Sequence, residues 1–142
     1  MGDEGFKRTL TSIVNADGVE RLVQAAVEQR PIPRLLLISS LAAREPLLSH
    51  YAASKRQGER VLIGLSHQLP WTIYRPCAIY GPGDREILPV FKWMAKGIAP
   101  IIGAGTGRFS LIYVKDLAEA ALKWIDHDDR QSGIYELHDG HP

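Results

Sequence analysis

The sequence predicts an α/β fold built on a parallel sheet, and three observations point to it. Short apolar runs bounded by turn residues alternate with longer stretches of helical periodicity. The runs Arg34–Ser39 and Pro70–Arg75 are continuous in apolar character, as in strands buried on both faces. A helix-like stretch separates them, and strand, helix, strand is the unit from which parallel sheets are assembled.

The elements follow in order. Leu10, Ile13, Val14, Val19, Leu22, Val23 and Ala26 recur at helical spacing, so residues 8–29 read as an amphipathic helix ending before Pro31. Gly18 inside it costs about 1 kcal/mol against Ala, which predicts close packing against a neighbour there. After the strand at 34–39 and a loop with Pro46, residues 51–68 read as a second helix, with Ser49 near its cap. The strand at 70–75 is β-branched and aromatic and is closed by Pro76. A turn at Gly81–Asp84, a helix over 86–96, a glycine-rich loop at 103–107, a strand near 110–114, a helix over 115–126 and a short strand at 134–137 complete the chain.

Composition narrows the function. The 142 residues carry 17 basic and 16 acidic side chains, a net charge of +1 that provides no basic field for nucleic acid. No apolar run reaches the roughly 18–20 residues that span a bilayer, which argues against a membrane partner. The single cysteine, Cys77, makes no internal disulfide, so a reducing cytoplasmic setting is expected. Cys77 itself reads as small packing rather than a nucleophile. His127, Asp128, Asp129, His138, Asp139 and His141 gather near the end without metal-ligand spacing, and no metal is assigned. Trp71, Trp93 and Trp124 lie on different elements and read as core or subunit packing, which leaves room for a homodimer.

The chemistry concentrates in Tyr51-Ala-Ala-Ser-Lys55, which puts a phenol and an ammonium on one face of a helix. A phenol is a poor acid or base at neutral pH, but a cation fixed about 4 Å away contributes roughly 4 kcal/mol at an effective dielectric near 20. That makes a proton donor or acceptor for a hydroxyl–carbonyl interconversion. An exposed helical pair has the same spacing, so context decides. Ser39 and Ser40 end a predicted parallel strand, where open α/β sheets bind ligands. A serine there orients an oxygen that gains or loses a proton, or else satisfies loop backbone.

These pieces occur in a fixed order: Asn15-x-x-Gly18, Leu37-Ile-Ser-Ser40, Tyr51-x-x-x-Lys55 with Arg56-x-Gly58-Glu59, Arg75-Pro-x-x-Ile-Tyr-Gly-Pro-Gly-Asp84, and Val114-Lys-Asp-Leu-Ala-Glu-Ala120. In that order the chain resembles the extended short-chain dehydrogenase/reductase family, the NAD-dependent epimerase/dehydratase group. The resemblance implies the C-terminal part of a Rossmann-like doubly wound parallel sheet with part of a small substrate subdomain. Residues 1–142 would form one partial NAD(P)-binding domain, with 1–85 the catalytic half of the sheet and 86–142 a substrate-side segment. It implies a small-molecule substrate and NAD or NADP as cofactor. Tyr51 would be the catalytic acid/base, and Lys55 would bind the nicotinamide ribose and favour the phenolate. Ser40 would hold the substrate oxygen, and Asn15 would serve a proton relay through water. Ser39, Pro76, Ala78 and Ile79 would line the nicotinamide side, mainly through backbone.

The departures are equally informative. Family members begin with a strand, a Gly-x-x-Gly-x-x-Gly turn and a helix for the dinucleotide pyrophosphate, and that motif does not occur here. Gly103-Ala-Gly-Thr-Gly107 lacks the flanking strand and helix and reads as a loop near the substrate. The expectation is therefore a piece of a larger enzyme, with a non-catalytic scaffold or an incomplete, inactive fragment as the alternatives. Where nucleotide-sugar epimerases carry asparagine and arginine, this chain has Ala78 and Phe109, with Arg108 shifted by one position. Phenylalanine cannot replace an arginine fork on a diphosphate, although Arg108 could still reach a phosphate if the loop bulges. Arg108 and Phe109 are both expected on the substrate side with Ser40. The wording after Arg75 is similar to the 3β-hydroxysteroid-dehydrogenase and flavonol-reductase branch, whose substrates are less charged.

Overall fold

The computed structural model describes residues 13–65, 67–98, 109–127, 130 and 132–140. The glycine-rich loop at 103–107, Arg108 and the first turn of the expected first helix lie outside the described residues.

A π-helical turn, Ile13–Asp17, leads into α1, Gly18–Val27. Strand β1, Leu35–Ile38, follows, then a short 3-10 turn at Leu41–Arg44 and α2, His50–Gly64. Next come β2 (Trp71–Pro76), β3 (Ala78–Tyr80), α3 (Leu88–Met94), β4 (Leu111–Tyr113), α4 (Val114–Asp126) and β5 (Gly133–Leu137). The expected alternation is present, and both sheets are wholly parallel.

The larger sheet has the order β1-β2-β5. Leu35 pairs with Trp71 and Ile38 with Tyr74, while Thr72 pairs with Gly133 and Pro76 with Leu137. Strand β2 is therefore central, and its residues are almost all buried. Its two faces divide by the period of two. Trp71 and Ile73 join Val19, Val23 and Ala26 of α1 and Leu62 of α2 in the hydrophobic core. On the other face Thr72 Oγ1 accepts a 2.9 Å hydrogen bond from Trp124 Nε1, and the Tyr74 hydroxyl donates to the Ala120 carbonyl, both from α4. Helices thus cover both faces, as the continuous apolar strand required.

Three expectations change. Strand β1 is only half-buried, with Ile38 37% exposed, because among the described residues it has a single strand partner, β2. The second helix stops at Gly64, four residues early, where the Leu65 N–H turns back to the Val61 and Leu62 carbonyls. Close helix packing falls on Gly58, not on Gly18, which is exposed. A Cβ on Gly58 would stand 2.0 Å from the Asn15 carbonyl oxygen, so α2 meets the π turn backbone to backbone.

One short strand, β3, was not foreseen, while the strand expected near 110–114 is present as β4. Strand β3 pairs in parallel with β4, Ala78 opposite Leu111 and Tyr80 opposite Tyr113. Gly81 follows with φ +141°, where an added Cβ would meet Val114 Cγ1 at 2.6 Å. Asp84 then opens the approach to α3, its Oδ1 accepting from the N–H groups of Glu86 and Ile87.

Candidate functional site

The site is built at the carboxyl end of β1. The Ser39 N–H donates to the Tyr74 carbonyl at 2.7 Å, which extends the pairing with β2 by one residue. Ser40 is extended, φ −156° and ψ 150°, and starts the turn Leu41–Arg44. Its Oγ accepts from the Ala42 N–H at 3.2 Å, as N-cap serines do. That contact uses a lone pair, so the hydroxyl hydrogen has no acceptor among the described residues. Ser40 is thus both the loop-backbone cap and a donor ready for an incoming oxygen.

Ser49 caps α2 in the same way, its Oγ accepting from the Ala52 N–H at 3.0 Å. This fixes where the helix begins and sets Tyr51 in its first turn, 48% exposed. One turn later Lys55 reaches back to β1, and its Nζ donates to the Ile38 carbonyl at 3.2 Å. The same ammonium stands 5.9 Å from the Tyr51 ring centroid. Half-buried Lys55 has its pKa lowered by burial, which strips water from the charged form. One helix thus carries the phenol and the ammonium and docks the ammonium on the strand end from which Ser40 continues.

Asn15 sits in the π turn, and π turns recur at functional sites. Its Nδ2 donates to Ser54 Oγ at 3.0 Å, and Ser54 Oγ donates to the Tyr51 carbonyl at 2.8 Å. The asparagine side chain is therefore linked to the backbone of the tyrosine through buried Ser54.

Behind the site lies a charged cluster whose role the sequence reading did not identify. Glu59 is completely buried on α2. It accepts from Ser39 Oγ at 2.6 Å, from Arg75 Nε at 2.8 Å and Nη2 at 2.7 Å, and from Arg56 Nη1 at 3.3 Å. Burial by itself would raise the Glu59 pKa, but the hydrogen bonds from Arg75 and Ser39, the Arg75 charge and Arg56 outweigh it and hold the carboxyl below its usual range. Arg75 is raised in turn, chiefly by its hydrogen bonds to Glu59. The signal was present: Tyr51, Lys55 and Glu59 recur every four residues, and an arginine in a buried strand demands a buried anion.

Of the other expected residues, Ser39 is buried and its hydroxyl hydrogen is committed to Glu59. Pro76 is buried at the end of β2, and Ala78 and Ile79 lie in β3, so part of their backbone is engaged with β4. Between them the Cys77 N–H donates to the Leu137 carbonyl, and burial pushes the thiol pKa up, consistent with packing rather than nucleophilic use. Phe109 is 68% exposed, and its neighbour Arg108 is outside the described residues. A concavity lined by Thr72, Tyr74, Trp124 and Tyr135 lies on the α4 face and includes none of Ser40, Tyr51 or Lys55. No group of three metal-ligating side chains occurs among the described residues, and none of their helices is long and apolar enough to cross a membrane.

Comparison with known proteins gives matches in sequence and in fold. The model of the NAD dependent epimerase/dehydratase family matches residues 4–137. A protein named ceramide reductase from Caulobacter vibrioides is 44% identical over 116 residues, covering 81% of this chain and 33% of its own length. A UDP-glucose 4-epimerase from Vibrio cholerae is 26% identical over 152 residues, covering 94% of this chain and 46% of the relative. Among solved structures, a UDP-glucuronic acid 4-epimerase from Bacillus cereus in complex with NAD superposes with a TM-score of 0.72 at 20% identity, over 89% of this chain and 47% of that one. The chain spans between a third and a half of the length of these proteins.

Proposed function

The chain belongs to the NAD dependent epimerase/dehydratase family, and on that premise we propose that it carries the catalytic side of an NAD- or NADP-dependent enzyme interconverting a secondary alcohol and a ketone. One observation carries the reading: α2 docks Lys55 on the Ile38 carbonyl at the end of β1, with the Tyr51 ring centroid 5.9 Å from the same ammonium. Ser40, whose hydroxyl hydrogen has no acceptor among the described residues, stands two residues further along the strand end. The half-exposed phenol, the half-buried ammonium and the backbone leaving β2 at Pro76 fit a nicotinamide ribose and ring. Lys55, Tyr51 and the stretch from Pro76 to Ile79 would hold that group, with Ser39 contributing backbone and lone pairs. When bound, the nicotinamide supplies the hydride exchange.

The chain's own residues manage the proton. Tyr51 gives its hydroxyl proton to the substrate oxygen on reduction and takes it on oxidation. Ser40 donates a hydrogen bond to the same oxygen and steadies the charge that develops there. Lys55 favours the phenolate while the Ile38 carbonyl fixes its position. Asn15 acts through Ser54 on the backbone of Tyr51, in reach of the proton-relay role that its family resemblance implies.

Substrates of low charge suit the site best. Phe109 presents an exposed aromatic ring where a diphosphate would call for an arginine fork, and the 44%-identical relative is named a ceramide reductase. One cysteine, half-buried, suits a cytoplasmic protein. The test is turnover by the longest form of the protein that its gene encodes. Tyr51→Phe is expected to lower kcat by about 10²–10⁴-fold, the usual worth of a positioned general acid or base. Equal, cofactor-dependent turnover in both would eliminate the role. The alternative of a non-catalytic scaffold predicts no quenching of NADH or NADPH fluorescence on titration with the longest form of the protein.

A further inference from the structure

We infer that Glu59 is a positioning residue: its carboxylate ties the end of β1 to α2 and thereby sets Ser40 and Lys55 against Tyr51. The inference rests on the proposed alcohol–ketone chemistry for its catalytic consequence, although the geometry stands by itself. Two contacts dock α2 on the end of β1, the Lys55 ammonium on the Ile38 carbonyl and the Glu59 carboxylate on the Ser39 hydroxyl. They are one helical turn apart on the helix and adjacent on the strand. Ser40, the next residue, is held from the other side by the same charges. Arg75 joins Glu59 to Glu136 of β5 at 3.7 Å, and Glu136 pairs at 3.2 Å with Arg44, the last residue of the turn that Ser40 caps. The links form a ring from Ser39 through Glu59, Arg75, Glu136 and Arg44 back to Ser40, spanning all three strand ends of the larger sheet. The carboxylate thus joins three elements at once, accepting from Ser39 at the end of β1 and from Arg75 of β2 while it is carried by α2.

The test compares Ser39→Ala, which removes only the hydroxyl link and no charge, with Glu59→Gln. The first readout needs no cofactor: titration of the Lys55 side chain by carbon-13 NMR, assigned with Lys55→Arg. Release of the strand end exposes the ammonium, so Ser39→Ala is expected to move the Lys55 midpoint upward by at least about 0.5 pH unit, toward its value in water. Glu59→Gln is expected to move it the same way. Loss of negative charge alone would move it downward, so the sign separates repositioning from electrostatics. The second readout is kinetic, with kcat in both variants expected to fall about tenfold or more at nearly constant KM, as misplacement of reacting groups requires. A Lys55 midpoint unchanged in folded Ser39→Ala overturns the inference, whatever happens to the melting temperature. Should Glu59→Gln fail to fold, Ser39→Ala decides alone. If Tyr51→Phe turns over like the unsubstituted protein, the functional reading fails while the Lys55 titration still judges the positioning role.

Discussion

At the scale of single residues, the site divides into groups that act by their chemistry and groups that act by where they hold others. On the proposed function Tyr51, Lys55 and Ser40 belong to the first kind, as their residue types lead one to expect. Glu59 belongs to the second, and its type alone gave no such expectation; the signal lay in its four-residue spacing from Lys55 and in an arginine on a buried strand, which requires a buried anion. Only the fold shows that this turn of α2 faces Arg75 rather than water. The pairing makes a stability prediction with a definite sign. A carboxyl held below its usual range contributes stability that is fully present above the unfolded pKa near 4.3 and lost as pH falls through the lower, folded value. Urea midpoints measured from pH 6 downward should therefore drop below about pH 4.3, and Glu59→Gln should lack that component. At pH 7 the same substitution should cost up to about 3–5 kcal/mol, since it leaves a buried guanidinium with only the partly exposed Glu136 carboxylate, 3.7 Å away, as counter-charge. An unchanged midpoint at pH 7 would show that Arg75 finds another anion.

At the scale of elements, the approach of α2 to the π turn at Ile13–Asp17 decides whether Asn15 reaches the tyrosine helix. Gly58 permits it, with the Asn15 carbonyl 2.0 Å from the place a Cβ would take. Backbone cannot yield as a flexible side chain does, so Gly58→Ala is expected to destabilise by about 1–3 kcal/mol or more. It should also break the Asn15–Ser54 hydrogen bond, visible as a changed Asn15 side-chain amide resonance. A variant as stable as the parent, with that resonance unmoved, would contradict the close approach. The periodic helices and the continuous strand β2 were legible because burial on a face leaves a spacing in the sequence. Which glycine marks the contact was not legible: Gly18 and Gly58 are both helical, and only tertiary packing distinguishes them. Strand β3 has three residues, too few for a period to show, and falls in a stretch after Pro76 with no expected element, whereas β4 lies within the strand expected near 110–114.

At the scale of the whole molecule, the parallel sheet explains why the chemistry lies where it does. Parallel strands send all their carboxyl ends to one side, so Ser39, Pro76 and Leu137 finish together and the residues after them share one rim. The motif order foretold this arrangement, because it lists in sequence what the crossovers bring together in space. The apolar run of β1 asks for burial on both faces, and a run of leucines states a need for cover without saying what provides it. The central claim is that this rim performs reversible proton and hydride exchange at a carbinol carbon. Its most direct measurement is the fate of deuterium from C4-deuterated NADH or NADPH, incubated with a low-charge ketone and the longest form of the protein that its gene encodes. The account expects deuterium at the carbinol carbon of the product, and transfer slowed by at least about 100-fold in Tyr51→Phe. No transfer from either nucleotide, or equal transfer by the variant, would contradict it.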